Sequence, residues 1–133
     1  MSEPVTFEIS MDYPGDVISK NHCWRGGSRR NGLEPQAQKW KDGLAGSIQW
    51  LCIGHRVVPT NKDSIHVEVG ARFFDRANSI DLQNALELIL DAVEAGTGVN
   101  DKHFTVATRR PTFERAIPEI TVYVTIEKGA QDG

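Results

Sequence analysis

The chain of 133 residues is short of several things, and each shortage removes a class of function. It has two cysteines, Cys23 and Cys52, in no CxxC pair, so neither a disulfide framework nor a zinc site is indicated. Both are expected to be reduced thiols. No apolar run approaches the roughly 20 residues of a membrane-spanning helix, and Met1-Ser2-Glu3-Pro4 places an acid where a signal peptide needs a basic segment. The expectation is therefore a cytoplasmic protein with no membrane partner. Positive charge is also lacking overall: 15 Lys and Arg against 18 Asp and Glu leave a net charge of -3. A protein that coats nucleic acid through bulk charge is thereby disfavoured. Walker loop, GxGxxG, nucleophile elbow and Ser/His/Asp order are all missing, so no small-molecule cofactor is expected. His22, His55, His66 and His103 show no metal-ligand spacing, and no internal repeat or low-complexity tract is visible.

What remains is ordinary globular composition, 39% hydrophobic and 25% charged with a mean hydropathy of -0.38, in a length suited to one domain over residues 1–133. The charge is unevenly distributed. Between Lys20 and Lys41 six basic residues face Glu34 alone, whereas between Asp75 and Asp101 six acids face Arg76 alone. A basic arm and an acidic centre share one small domain.

Val5 to Met11 alternates apolar and polar side chains and reads as a strand ending at the Tyr13-Pro14-Gly15 turn. Residues 16–34, with three glycines and Arg29-Arg30, read as a long, mobile, basic loop. After Pro35, the steps Ala37, Trp40, Leu44, Ile48 and Leu51 describe one face of an amphipathic helix, weakened by Gly43 and Gly46. Ile65 to Phe73 reads as a second strand. Leu82, Ala85, Leu86, Ile89, Ala92 and Val93 form the apolar stripe of a second helix capped by Asp81 and stopped by Gly96 and Gly98. Phe104 to Thr108 and Ile120 to Ile126 complete the strands, and 128–133 reads as a frayed tail. The order β-α-β-α-β-β predicts an α/β domain with a small mixed sheet and two main helices.

On the second helix Asn84, Glu87, Asp91 and Glu94 share one stripe away from the core. Such a row is either a solvated face or, with a neighbouring loop, a source of oxygen ligands for a hard cation such as Mg²⁺. In the basic loop, Asn21, Trp24, Arg25, Arg29 and Arg30 combine phosphate-gripping groups with a ring that either stacks on an exposed base or folds onto the core. Arg109, Arg110 and Arg115 extend the basic character toward the C-terminal hairpin.

Taken together, Ser19-Lys20-Asn21-His22-Cys23-Trp24-Arg25 after the first strand, Trp40-Lys41 on a helix, Asp81-Leu82-Gln83-Asn84 opening a second helix, and Asp91-Ala92-Val93 leading to Asn100-Asp101 resemble the RusA family of Holliday-junction resolvases. The family pattern Ser-x-Asn-x-x-aromatic-Arg is matched at Ser19, Asn21, Trp24 and Arg25. The resemblance implies an α/β homodimer that binds four-way DNA junctions and cuts two strands symmetrically, using Mg²⁺ or Mn²⁺. It assigns metal ligation to Asp81 and Asp101, with Gln83 and Asn100 at the remaining ligand positions, and supporting roles to Ser19, Asn84 and Asp91. DNA contact falls to Asn21, Trp24, Arg25, Arg29 and Arg30.

Three positions depart from the pattern: Gln83 and Asn100 replace carboxylates, and Glu87 stands where the family has a Lys. Each amide keeps an oxygen donor but removes a negative charge. Glu87 offers a replacement carboxylate, giving Asp81, Glu87 and Asp101 as a rearranged set, with Lys102 available to stabilise phosphate charge. Three expectations follow: a metal-dependent resolvase, a junction-binding protein of the same fold that has lost cleavage, or an unrelated α/β domain. Two cuts related by a two-fold axis require a dimer, to which an exposed Trp50 would contribute.

Overall fold

A computed structural model of the chain describes residues 3–129. Five strands and two helices follow one another along it. They are β1 (Val5–Asp12), α1 (Pro35–Gly54), β2 (Ser64–Phe73), α2 (Leu86–Thr97), β3 (Phe104–Thr108), β4 (Thr112–Phe113) and β5 (Glu119–Glu127). The sheet runs β1-β5-β2-β3, with the short β4 on β2 beyond the end of β3. β5 lies antiparallel to both β1 and β2, while β3 and β4 are parallel to β2, so the sheet is mixed. The expected α/β class and single domain are found; β4 is an additional strand.

Period-two patterning explains which face is covered. Phe7 and Ile9 of β1, Ile65, Val67 and Val69 of β2, and Ile120, Val122, Val124 and Ile126 of β5 are buried together with Ala37, Trp40, Leu44, Ile48 and Cys52 of α1. Leu88, Ile89, Ala92 and Val93 of α2 complete this core. Each of these larger side chains contributes about 1.5–3 kcal/mol by leaving water. The alternate residues Thr6, Glu8, His66, Glu68, Tyr123 and Thr125 face away from the helices, leaving that side of the sheet open. Trp40 fixes α1 against β1 by donating its indole N–H to the Asp12 carbonyl at 2.9 Å.

α1 and α2 pack directly on each other, and Gly96 is what permits it. A Cβ there would lie 2.7 Å from the Ala45 carbonyl oxygen and 2.8 Å from Ile48 Cβ. Gly96 thus lies inside α2 rather than ending it, and Gly98, left-handed at φ 75°, supplies the stop. The tail is also held further than expected. Asp63, 4% exposed, accepts from Lys128 Nζ, the Gly129 N–H and the Thr60 N–H at 2.8–2.9 Å, so Lys128 and Gly129 are anchored and only 130–133 of the expected fray lies outside the described residues. Both cysteines are free and buried. Among the described residues no helix is long and apolar enough to cross a membrane.

Candidate nucleic-acid interface

Residues 16–34 form a folded excursion rather than the mobile loop that their composition suggests. Three 3₁₀ turns, Asp16–Ile18, Arg25–Gly27 and Arg29–Asn31, follow one another, and Ile18, Ser19 and Cys23 are buried. The ends are drawn together by Arg25 N–H to Gly32 O at 2.9 Å and Glu34 N–H to Cys23 O at 2.7 Å, beside a Trp24–Leu33 bridge. Gly26, Gly27 and Gly32 take positive φ where a side chain would strain the turns. Backbone closure, invisible to hydrophobic periodicity, is what orders this segment.

Trp24 is half-buried and packs against the core, with the Arg29 guanidinium 4.9 Å from its ring centre. The ring that could have stacked on a base therefore already carries a cation. Asn21, Arg25 and Arg30 are exposed on the same excursion.

The acidic region meets this basic segment. Lys20 donates its backbone N–H to the Asn84 carbonyl at 2.7 Å, and Arg29 pairs with Glu87. The two stretches singled out in the sequence, more than fifty residues apart, are thus one surface. Asp81 caps a 3₁₀ turn, Leu82–Ala85, and α2 begins only at Leu86, four residues later than its periodicity predicts. The Asp81 carboxylate accepts the Gln83 N–H at 3.0 Å, while the Gln83 side-chain amide donates to Thr108 Oγ1 at 3.2 Å. Asn84, Glu87, Asp91 and Glu94 are half-buried, not a fully solvated face, because the basic excursion and α1 lie against them.

Electrostatics links several of these side chains. Burial raises the Asp91 carboxyl above its ordinary range; Lys41 and Arg29 pull it down, and Glu87 and Asp101 push it up. Burial likewise raises the Cys23 thiol, with Glu87 and Asp91 adding to the effect and Arg29 opposing it. Glu87, Asp91, Asp101, Lys41 and Arg29 therefore share one electrostatic neighbourhood. Lys41, read from the sequence as part of the basic arm and of the Trp40-Lys41 pair, enters it through the α1–α2 contact. Asn100 caps the Asp101–His103 turn by accepting the Lys102 N–H at 3.0 Å, and its own N–H donates to Asn61 Oδ1 at 2.9 Å; Asp101 and Lys102 are exposed.

The donor set bears on metal chemistry. Of the four positions that the resemblance makes carboxylates, Asp81 and Asp101 carry charge, while Gln83 and Asn100 carry amides engaged in hydrogen bonds. Glu87, the candidate replacement, is already neutralised by Arg29. Among the described residues no three His, Cys, Asp or Glu side chains come together as a metal-holding group. The donor set therefore lacks two of the four carboxylates that the resemblance implies, and with them half of the negative charge that would hold a divalent cation.

Comparison with known proteins adds no family: no protein-family model matches the chain, and no curated protein matches it.

Proposed function

We propose that this protein is a structure-specific DNA-binding protein of the RusA type that holds four-way junctions as a homodimer. The observation that carries the proposal is the joining of the two motif stretches, Lys20 N–H to Asn84 O with Arg29 against Glu87. The same excursion presents Asn21, Arg25 and Arg30 as an exposed rim, with Arg25 over the start of α1 beside Gln38, Lys39 and Asp42. Arginines on a fixed rim grip phosphates in a defined geometry, which favours one DNA shape over another without reading base sequence. A net charge of -3 leaves little bulk attraction, so affinity depends on this local rim and falls steeply with salt.

Metal-dependent paired cleavage of the junction is the second reading. It is favoured by Asp91 and Asp101 sharing one electrostatic neighbourhood, with the exposed Lys102 next to Asp101 in sequence. In this reading Mg²⁺ or Mn²⁺ is the cofactor and Asp81 and Asp101 are the first ligands. The test is a labelled four-way junction offered in Mg²⁺, in Mn²⁺ and in EDTA, with binding and strand scission followed on the same samples. Retained binding in EDTA without scission in either metal supports the binding reading; paired nicks abolished by Asp81→Asn establish the second. Equal affinity for junction and linear duplex at matched salt removes both.

A further inference from the structure

A cleft built from none of the motif residues lies where β2 ends and the chain runs from β3 to β4. Arg76, Arg110, Pro111 and Phe113 line a space of about 460 Å³ there. Phe113 is 37% exposed although it is large and apolar, and the Arg76 guanidinium stands 4.8 Å from its ring centre. Phe74, 41% exposed, repeats the arrangement with Arg115 at 5.9 Å. Two exposed phenylalanines, each accompanied by an arginine, mark one end of the sheet. Among the described residues Arg76, Arg110 and Arg115 form no ion pair, so their charge is available to a ligand.

The cleft is also held in place. Arg109 donates its N–H to the Val69 carbonyl at 2.8 Å and Glu114 donates to the Phe73 carbonyl at 2.9 Å, so the chain is tied to β2 both before and after β4. Phe113 lies beside the buried Phe73, ring centres 6.2 Å apart, which fixes the plane it presents. A fixed apolar ring flanked by free guanidinium groups suits a ligand with a flat face and an anionic link, which is the chemistry of an unpaired nucleotide in a strand.

We propose that this cleft takes an unstacked nucleotide of a DNA strand, its base lying against the Arg76 guanidinium that covers Phe113 and its phosphate meeting Arg110. The inference rests on the DNA-binding reading and deepens it: a branch point is where a duplex most cheaply gives up a stacked base. It assigns shape recognition to the Arg25 and Arg30 rim and capture of an opened base to the far end of the sheet.

The test uses the full chain in EDTA with four probes: a four-way junction carrying 2-aminopurine at the crossover, a linear duplex, an oligothymidylate and free dTMP. Phe113→Leu keeps an apolar contact with Phe73 while removing the ring that backs the Arg76 guanidinium, and Arg110→Gln removes the charge alone. Both are expected to weaken junction and oligothymidylate binding, Phe113→Leu by roughly tenfold. Both should also reduce the 2-aminopurine response on binding, with duplex affinity and thermal midpoint unchanged. Wild-type affinity and 2-aminopurine response in both variants would overturn the cleft while leaving junction binding intact. Free dTMP binding as tightly as the oligothymidylate would overturn its assignment to a strand. A wild-type protein that binds none of the DNA probes would overturn the cleft and the proposed function together.

Discussion

Arg29 on the basic excursion and Glu87 on the first turn of α2 form an ion pair across 58 residues of sequence, with Arg29 also lying over Trp24. The side chains are 69% and 35% exposed, so the pair contributes at most about 1 kcal/mol to stability. Under the proposed DNA-binding function, Glu87 holds back a cation that DNA phosphate would otherwise engage.

Opposite effects are expected from the two halves of that pair. Arg29→Ala should weaken junction binding, whereas Glu87→Gln should strengthen it by releasing Arg29, each with a change in unfolding free energy within about 1 kcal/mol. Fluorescence anisotropy with a labelled junction, alongside urea denaturation, checks both. If Glu87→Gln instead costs cleavage as heavily as Asp81→Asn, Glu87 belongs to a rearranged catalytic set and the binding reading fails.

Asp81 carries a structural duty that must be separated from any chemical one. Because its carboxylate caps the Leu82–Ala85 turn, Asp81→Ala should lower stability by about 1 kcal/mol, whereas Asp81→Asn, itself a good cap, should stay within a few tenths. Thermal melts of the two variants distinguish them. Any loss of nicking shared by both then reports chemistry rather than folding.

Gly96 sets the distance between the helices. Gly96→Ala forces a methyl group against the Ala45 carbonyl and Ile48, and overpacking of this kind costs typically about 1–3 kcal/mol. Since α1 brings Lys41 to the acidic face of α2, the same variant should also shift the titration of Asp91, measurable by carboxyl NMR.

Asp63 gives the fold an acid-sensitive clasp. Burial acts to raise its pKa, but hydrogen bonds from Lys128, Gly129 and Thr60 prevail and lower it below the ordinary value. An acid whose folded pKa is depressed contributes stability that is full above the unfolded pKa, near 4, and fades as pH falls toward the folded value. Asp63→Asn should therefore lower the melting temperature most at neutral pH, with the gap to wild type closing below about pH 4.

The strands and helices with clear periodicity were legible from sequence: Val5 to Met11, Ile65 to Phe73 and Ile120 to Ile126 lie within β1, β2 and β5, and Pro35 does open α1. β4 was not legible, because two residues after Pro111 carry no period and pair only once β2 is present beside them. The late start of α2 escaped for a different reason. A 3₁₀ turn keeps Leu82 and Ala85 three apart and buried, which imitates the first turn of an α-helix.

Spacing also singled out candidate polar residues without showing how they group. Nothing in the one-dimensional order places Lys41 near Asp91, since that follows from the α1–α2 contact. The order of residues 16–34 depends on backbone hydrogen bonds and glycines with positive φ, and Arg29 occupies Trp24 in a way composition does not reveal. The phenylalanine cleft was half legible: Arg109, Arg110 and Arg115 stood out as charge, but Phe113 gains its meaning only from Arg76 across the β2–β4 pair.

The most direct measurement is the affinity of the protein for a four-way junction relative to a linear duplex of the same length and base composition, in EDTA and at matched salt, for wild type and Arg25→Ala/Arg30→Ala. A clear preference for the junction that collapses in the double variant, with its fold intact by circular dichroism, is the predicted result. Equal affinity for the two DNAs, or a preference untouched by losing both arginines, would contradict the account.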